Sequence, residues 1–405
     1  MRTEYILALR FFSGFRDLER GLWRPYGPPT ISKLIEYLEK NRTKSIAVLL
    51  CKDRSFFKEH LRPQYLELEE FKYVRFIALP FVSLTRWYKF DLLISDVFAL
   101  LFFINLVAKE KPRVLYCVRA SQHIGAFFTL FKRPKVVLRI MGETGMYDFY
   151  KKVRNRILHP VTIFSLKAKF SCIIATIDGS PVRKLINECA SSKVRKIFLF
   201  NGVDKEPYDT SSSKVDPRGV KILFIARLTE WKGIEEFIDV LHRVSLRKDN
   251  FNAAVIGYGP KEDIVKDKII KYGLQDRVIV KGELQHTQVL GYYSSNDIFV
   301  SIGKLGNLGN TTLEALQAGM CIVMYRKSES GIDQDTENVI PADCAVRFSR
   351  EHIIEDLTGK LTFLLDHPSE IEKYKKNAKK LSLTLLKSWD DRVQEEMDII
   401  NAVSK

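Results

Sequence analysis

Two cations stand five residues apart in Arg227-Leu228-Thr229-Glu230-Trp231-Lys232-Gly233, a segment that leaves the apolar run Lys221–Ala226. The run reads as a strand, and Ile234, Phe237, Ile238, Leu241 and Val244 follow at helical spacing. Arg227 is therefore expected at a strand's carboxyl end and Lys232 near a helix start. A guanidinium fork, an ammonium and the amides of a helix N-terminus together suit a diphosphate. A solvated loop with two unrelated cations fits the spacing as well.

A second cluster follows the run Ile298–Ile302: Gly306-Asn307-Leu308-Gly309-Asn310-Thr311-Thr312-Leu313-Glu314, continuing to Gly319. Its glycines and asparagines permit a tight loop with amides turned to a ligand. Thr311 and Glu314 have capping-box spacing. Glu314 also suits the vicinal hydroxyls of a ribose, which a carboxylate can grip with both oxygens. One carboxylate does not easily do both, and the two readings stay open here.

Other motifs carry less. Gly257-Tyr258-Gly259-Pro260 lacks the third glycine of a dinucleotide fingerprint, and the chain has no P-loop. Asp333-Gln334-Asp335 has the letters of a metal motif but lies in a loop-like stretch, and reads as a solvated acidic turn. No metal site is expected. His123 falls near a strand's carboxyl end and reads as structural.

These segments need a scaffold, and both halves offer one. Continuous apolar runs at Tyr5–Leu9, Ser45–Cys51, Tyr73–Leu79, Arg113–Val118, Val136–Met141, Cys172–Ile177 and Lys196–Phe200 alternate with helical patterns, and the rhythm resumes after Val220. Continuous runs fit strands covered on both faces, hence parallel sheets built from βαβ units. The expected fold is α/β, with two doubly wound Rossmann-like domains facing across a cleft: residues 1–200, a linker 201–217, and residues 218–386. Residues 90–108 are long and apolar, but Asp91, Asp96 and Asn105 interrupt them; a buried helix on a sheet explains them better than a membrane span.

Charge divides unevenly. Residues 1–200 hold 36 Lys+Arg against 17 Asp+Glu, while 201–405 hold 29 against 32. A basic half needs an acidic neighbour or good solvation, and an anionic membrane surface or a phosphate-linked acceptor qualifies. No nucleic-acid-binding module is present, so nucleic acid ranks last. The six cysteines form no C-x-x-C pair and read as buried thiols of a reducing compartment. The N-terminus lacks a cleavage signal and reads as a first strand, so the expected location is the cytoplasm, free or peripheral at the inner membrane face.

Taken together, Arg227…Lys232-Gly233, Gly257-Tyr258-Gly259-Pro260 and Leu313-Glu314-Ala315…Gly319 resemble the retaining GT-B glycosyltransferases, the glycosyl transferases group 1 family. Asn201-Gly202-Val203-Asp204 is similar to that family's linker motif. Ser388-Trp389-Asp390 is similar to the start of its last helix, which would make 387–405 a helix crossing back to the first domain. The likeness spans about residues 196–400.

The resemblance implies a sugar moved from a nucleoside-diphosphate sugar to an acceptor, expected to be a lipid-linked or surface glycan, with retention and without metal or cofactor. Arg227 and Lys232 would neutralise the diphosphate and Glu314 would hold the ribose. Gly309, Asn310 and Thr311 would face sugar or phosphate, and Gly257 and Gly259 would belong to the donor site. Where the family usually has an acidic residue, eight positions before Glu314, this chain has Gly306. Asn307 and Asn310 are expected to take over the sugar contact, and Arg139 and Glu143 are weaker candidates. A binding protein without turnover and a nucleotide-sugar epimerase remain alternatives. Nothing in the sequence sets the oligomeric state.

Overall fold

The computed structural model describes residues 3–11, 15–24, 29–51, 62–82, 87–142, 145–204, 215–216 and 219–404. The chain forms two compact units. The first comprises Met1–Thr176, Val182–Phe200 and Trp389–Lys405; the second comprises Ile177–Pro181 and Asn201–Ser388.

The first unit is built on strands β1 (Tyr5–Phe11), β2 (Ser45–Cys51), β3 (Gln64–Leu66), β4 (Val74–Leu79), β5 (Val114–Val118), β6 (Lys135–Met141), β7 (Cys172–Thr176) and β8 (Arg195–Leu199). They form one sheet in the order β3-β4-β2-β1-β5-β6-β7-β8. All pairs are parallel except β3 with β4. Successive residues of a strand point to opposite faces, and here both faces are covered. Tyr5, Leu7 and Leu9 join one apolar cluster and Ile6 and Ala8 the other. The helices Pro29–Lys40 and Trp389–Ser404 close the first face through Ile31, Leu34, Val393 and Met397.

The helix Tyr88–Glu110 covers part of the second face, and the expectation that it is simply buried is corrected. Ala99, Phe103 and Leu106 pack inward. Phe90, Leu93, Val97, Leu101 and Ile104 form an outward stripe, each between 38% and 62% exposed. A helix can rest only one side on a sheet, so a helix apolar all round leaves its second stripe uncovered.

The second unit holds β9 (Val220–Ile225), β10 (Phe251–Ile256), β11 (Val278–Val280), β12 (Ile298–Ser301), β13 (Cys321–Tyr325) and β14 (Ala345–Phe348). The order is β11-β10-β9-β12-β13-β14, all parallel. Its strand order reverses between β9 and β12. Loops at the carboxyl ends of two such strands diverge and leave a crevice, the usual ligand position in a doubly wound sheet. The first sheet reverses in the same way between β1 and β5.

Candidate active site

The carboxyl ends of β9 and β12 carry the two clusters that the sequence singles out. Arg227 follows β9, and Lys232 closes a short 3-10 turn, Glu230–Lys232, before the helix Ile234–Ser245. Gly233 has φ +69°, and a Cβ there would lie 2.7 Å from the Ile302 carbonyl oxygen. The Lys304 amide donates to the Trp231 carbonyl at 2.8 Å. The loops after β9 and β12 are thus tied together.

Arg227 and Lys232 are both exposed, and neither side chain has a hydrogen bond or ion pair among the described residues. Desolvation by the surrounding protein lowers the Lys232 pKa; the Asp178 carboxylate partly opposes this and Arg227 adds to it. Two cations held near each other, with neither in an ion pair, repel one another, and an arriving anion relieves this.

The helix Asn310–Ala318 starts at the same crevice with Gly309 as its N-cap, and no side chain caps it. The capping-box reading of Thr311 and Glu314 is therefore corrected: Thr311 already lies inside the helix. The amides of Gly309, Asn310 and Thr311 have no acceptor among the described residues. They face outward from a positive helix end. Glu314 is 13% exposed and its Oε1 lies 3.1 Å from His286 Nε2, while His286 Nδ1 is 3.6 Å from Asp204 Oδ2. His286 holds one carboxylate oxygen.

Two of the asparagine and glycine assignments change. Asn307 is 1% exposed. Its Oδ1 accepts from Ser301 Oγ at 2.9 Å and the Gly303 amide at 2.8 Å, and its Nδ2 donates to Gly303 O at 3.0 Å and Asp333 Oδ2 at 2.7 Å. With both ends of its amide committed, it has nothing to offer a sugar. Asn310 is half-buried, and its Oδ1 accepts from Asn201 Nδ2 at 2.6 Å, leaving its own Nδ2 as a donor. The Gly257 amide is likewise taken, by Gly282 O at 2.8 Å. Gly257 serves close approach instead: a Cβ there would sit 1.9 Å from Ala226 O, and one on Gly259 would sit 2.5 Å from Leu228 O. Both glycines let the β10 loop lie directly on the strand end that presents Arg227.

Asp333 overturns another expectation. It is fully buried rather than a solvated turn. Its carboxylate accepts from the Asn307 amide at 2.8 Å and Thr336 Oγ1 at 2.8 Å, and it pairs with Arg350. It braces the β12 loop. Arg139 is also corrected as a ligand contact: it is fully buried, donates to Thr176 Oγ1 at 2.7 Å and lies 3.2 Å from Glu396. Glu143 lies outside the described residues. His123 lies 3.6 Å from Asp96, which also binds Arg10, and burial lowers its pKa.

The reason for Gly306 is steric. Its φ is +147°, and a Cβ would come within 2.6 Å of the Gly179 carbonyl carbon and the Ser180 nitrogen. The segment Ile177–Pro181 lies on this loop: the Leu308 amide donates to Asp178 O at 3.0 Å and the Asp333 amide to Gly179 O at 2.6 Å. That segment brings in Asp178, whose Oδ1 accepts from the Ser180 amide at 3.0 Å and from Ser180 Oγ at 2.5 Å. Burial raises the Asp178 pKa, with Lys232 among the groups that oppose it. Sequence reasoning missed Asp178, His286 and Asp204, which lie far along the chain from the residues they approach.

Two parallel doubly wound units of this kind define the GT-B architecture. The sucrose-phosphate synthase of Thermosynechococcus elongatus matches with TM-score 0.72 at 15% identity, over 99% of this chain and 99% of that one. HepE of Anabaena, in complex with UDP and glucose, matches with TM-score 0.66 at 15% identity over 98% and 100%. At such identity these likenesses establish the fold. Residues 209–381, most of the second unit, match the family described as Glycosyl transferases group 1. Among curated relatives, the gpi3 subunit of the Schizosaccharomyces pombe phosphatidylinositol N-acetylglucosaminyltransferase is 24% identical over 52% of this chain and 44% of its own length. The lipopolysaccharide core biosynthesis mannosyltransferase LpsB of Rhizobium meliloti is 27% identical over 37% and 47%. The chain spans about half the length of the curated relatives it matches.

Proposed function

We propose that this protein is a glycosyltransferase that takes a sugar from a nucleoside-diphosphate sugar bound by the second unit. The observation that carries the reading is the pair of unpartnered cations, Arg227 and Lys232, beside free amides at the switch point of the β9–β12 sheet. As the glycosidic bond breaks, charge grows on the departing diphosphate, and fixed cations and amides lower that barrier without reorganising. Glu314, steadied by His286, holds the ribose hydroxyls.

In this reading transfer proceeds with retention, as the sequence's resemblance to the retaining GT-B glycosyltransferases implies. In that reading the departing phosphate accepts the acceptor's proton, so no side-chain base is needed. Charge neutralisation falls to Arg227 and Lys232, which makes the reaction independent of a metal. The acceptor we favour is lipid-linked, on the strength of the relative named for phosphatidylinositol. The protein would act in the cytoplasm.

A thermal-shift screen of uridine, guanosine and adenosine diphosphate sugars tests the reading, followed by a transfer or hydrolysis assay on each hit. Stabilisation that vanishes in Arg227→Ala and Lys232→Ala is the expected result. No stabilisation by any of the donors would end it.

A further inference from the structure

We propose that the helix pair Val153–Leu158 and Pro160–Ser165 is a docking surface for an anionic lipid bilayer. The pair presents apolar side chains to solvent: Val153 is 67% exposed, Ile157 75%, Leu158 61%, Val161 61% and Phe164 54%. Only Asn155, Ile163 and Ser165 turn inward. Isolated exposed apolar residues are ordinary, but five within twelve positions on two short helices form a patch that water does not favour.

The occupant follows from charge. Lys152, Arg154, Arg156, Lys167 and Lys169 are all exposed among these residues, and the sequence holds no acidic residue between Asp148 and Asp178. Among the described residues none of these five cations has an ion pair. A protein partner recognised by cations would need a matching acidic patch around an apolar centre. A bilayer with anionic headgroups supplies both at once, phosphates for the cations and acyl chains for the apolar side chains. The neighbouring surface agrees. The helix Gln122–Phe128 packs against both Pro160–Ser165 and Tyr88–Glu110, and it leads to exposed Leu130 and Phe131 beside exposed Lys132 and Arg133. These helices share one face of the first sheet, so the outward stripe of Tyr88–Glu110 lies on the same side.

This inference deepens the reading of a lipid-linked acceptor, and its test needs neither donor nor acceptor, so the two fail separately. The full chain is floated with vesicles of phosphatidylcholine alone and of phosphatidylcholine with phosphatidylglycerol, at low and high salt. Binding is expected only to the second and should weaken with salt. Joint substitution of Lys152, Arg154 and Arg156 by Ser should weaken it roughly 100-fold. Ile157→Ser with Phe164→Ser should abolish retention in high salt, and Leu246→Ser, an exposed site of the second unit, should change nothing. Equal binding to both vesicle types, or an unaffected Ile157/Phe164 variant, would overturn the proposal. So would sedimentation showing a wild-type dimer that the same variant splits, with no response to vesicles. If a variant misfolds, amide exchange of the wild type decides: vesicles should slow exchange across 153–165, and protection only elsewhere would refute the assignment.

Discussion

At the strand-order reversal of the first sheet, Arg10 bonds Asp96 and His123 lies 3.6 Å from the same carboxylate. At the reversal of the second, Arg227 and Lys232 have no ion pair among the described residues. The topology is the same in both sheets, and each crevice receives cations from the end of its first strand. One unit satisfies its charge internally, whereas the other leaves its two cations without an ion pair among the described residues. A doubly wound sheet fixes where a ligand can sit; only the residues at the strand ends decide whether that place is kept open.

The difference is sharpest in how each unit treats a buried charge. Glu396 is 2% exposed in the first unit and is surrounded by Tyr116, Arg139 and Arg392. Burial pushes its pKa up, but the two guanidiniums more than offset this and hold it below the usual carboxylate value. Glu396→Gln leaves two cations uncompensated and should cost about 3–5 kcal/mol of stability, read by urea unfolding. Because the folded pKa is the lower one, this contribution is present above the unfolded value and disappears as acid takes the pH down through the folded value. Donor affinity per folded molecule should not change.

The converse experiment belongs to the second unit. Arg227→Ala or Lys232→Ala should lower kcat/KM by about 2–5 kcal/mol, with an unchanged melting temperature in the absence of donor. Arg10→Ala should leave donor affinity intact. If Arg10→Ala weakened donor binding as much as Arg227→Ala did, the contrast between the two crevices would collapse.

Gly306→Ala is a smaller test of the same idea. Forcing a Cβ against the Gly179–Ser180 backbone should destabilise by about 1–3 kcal/mol and loosen the loop that presents Gly309. A variant as stable and active as the wild type would refute the steric account of this glycine.

The smallest expected effect is a pH shift. Asp178→Asn removes the carboxylate that favours the charged form of Lys232. Lys232 then loses its proton at lower pH, so the alkaline fall in nucleoside-diphosphate affinity should begin earlier. Titration of binding against pH in both proteins would show it, and superimposable curves would remove Asp178 from the site.

Much of this was legible in the sequence because it is local. Arg227 and Lys232 follow a strand and open a helix within seven residues, so periodicity alone placed them. Most parallel strands buried on both faces announced themselves as largely apolar runs. β3, Gln64–Leu66, and β14, Ala345–Phe348, gave a weaker signal because Gln64 and Arg347 interrupt their short apolar stretches. Asn307 was misread because the partner that consumes its amide, Asp333, stands 26 positions away. Asp178 was invisible because its neighbours come from loops some fifty and more than one hundred residues further on. The outward stripe on Tyr88–Glu110 escaped notice for another reason: hydropathy shows that a helix is apolar, not which of two apolar sides is covered.

The network around Glu396 also bears on the order in which the protein is made. The first unit takes its closing helix, Trp389–Ser404, from residues synthesised after the whole of the second unit's sheet. Until then Arg139, on β6, has no carboxylate partner, and the face carrying Tyr5, Leu7 and Leu9 is missing Val393 and Met397. The second unit, by contrast, draws its whole sheet from the stretch between Val220 and Phe348. The half synthesised first is therefore the half completed last, and throughout elongation its open apolar face is the nascent chain's exposed liability.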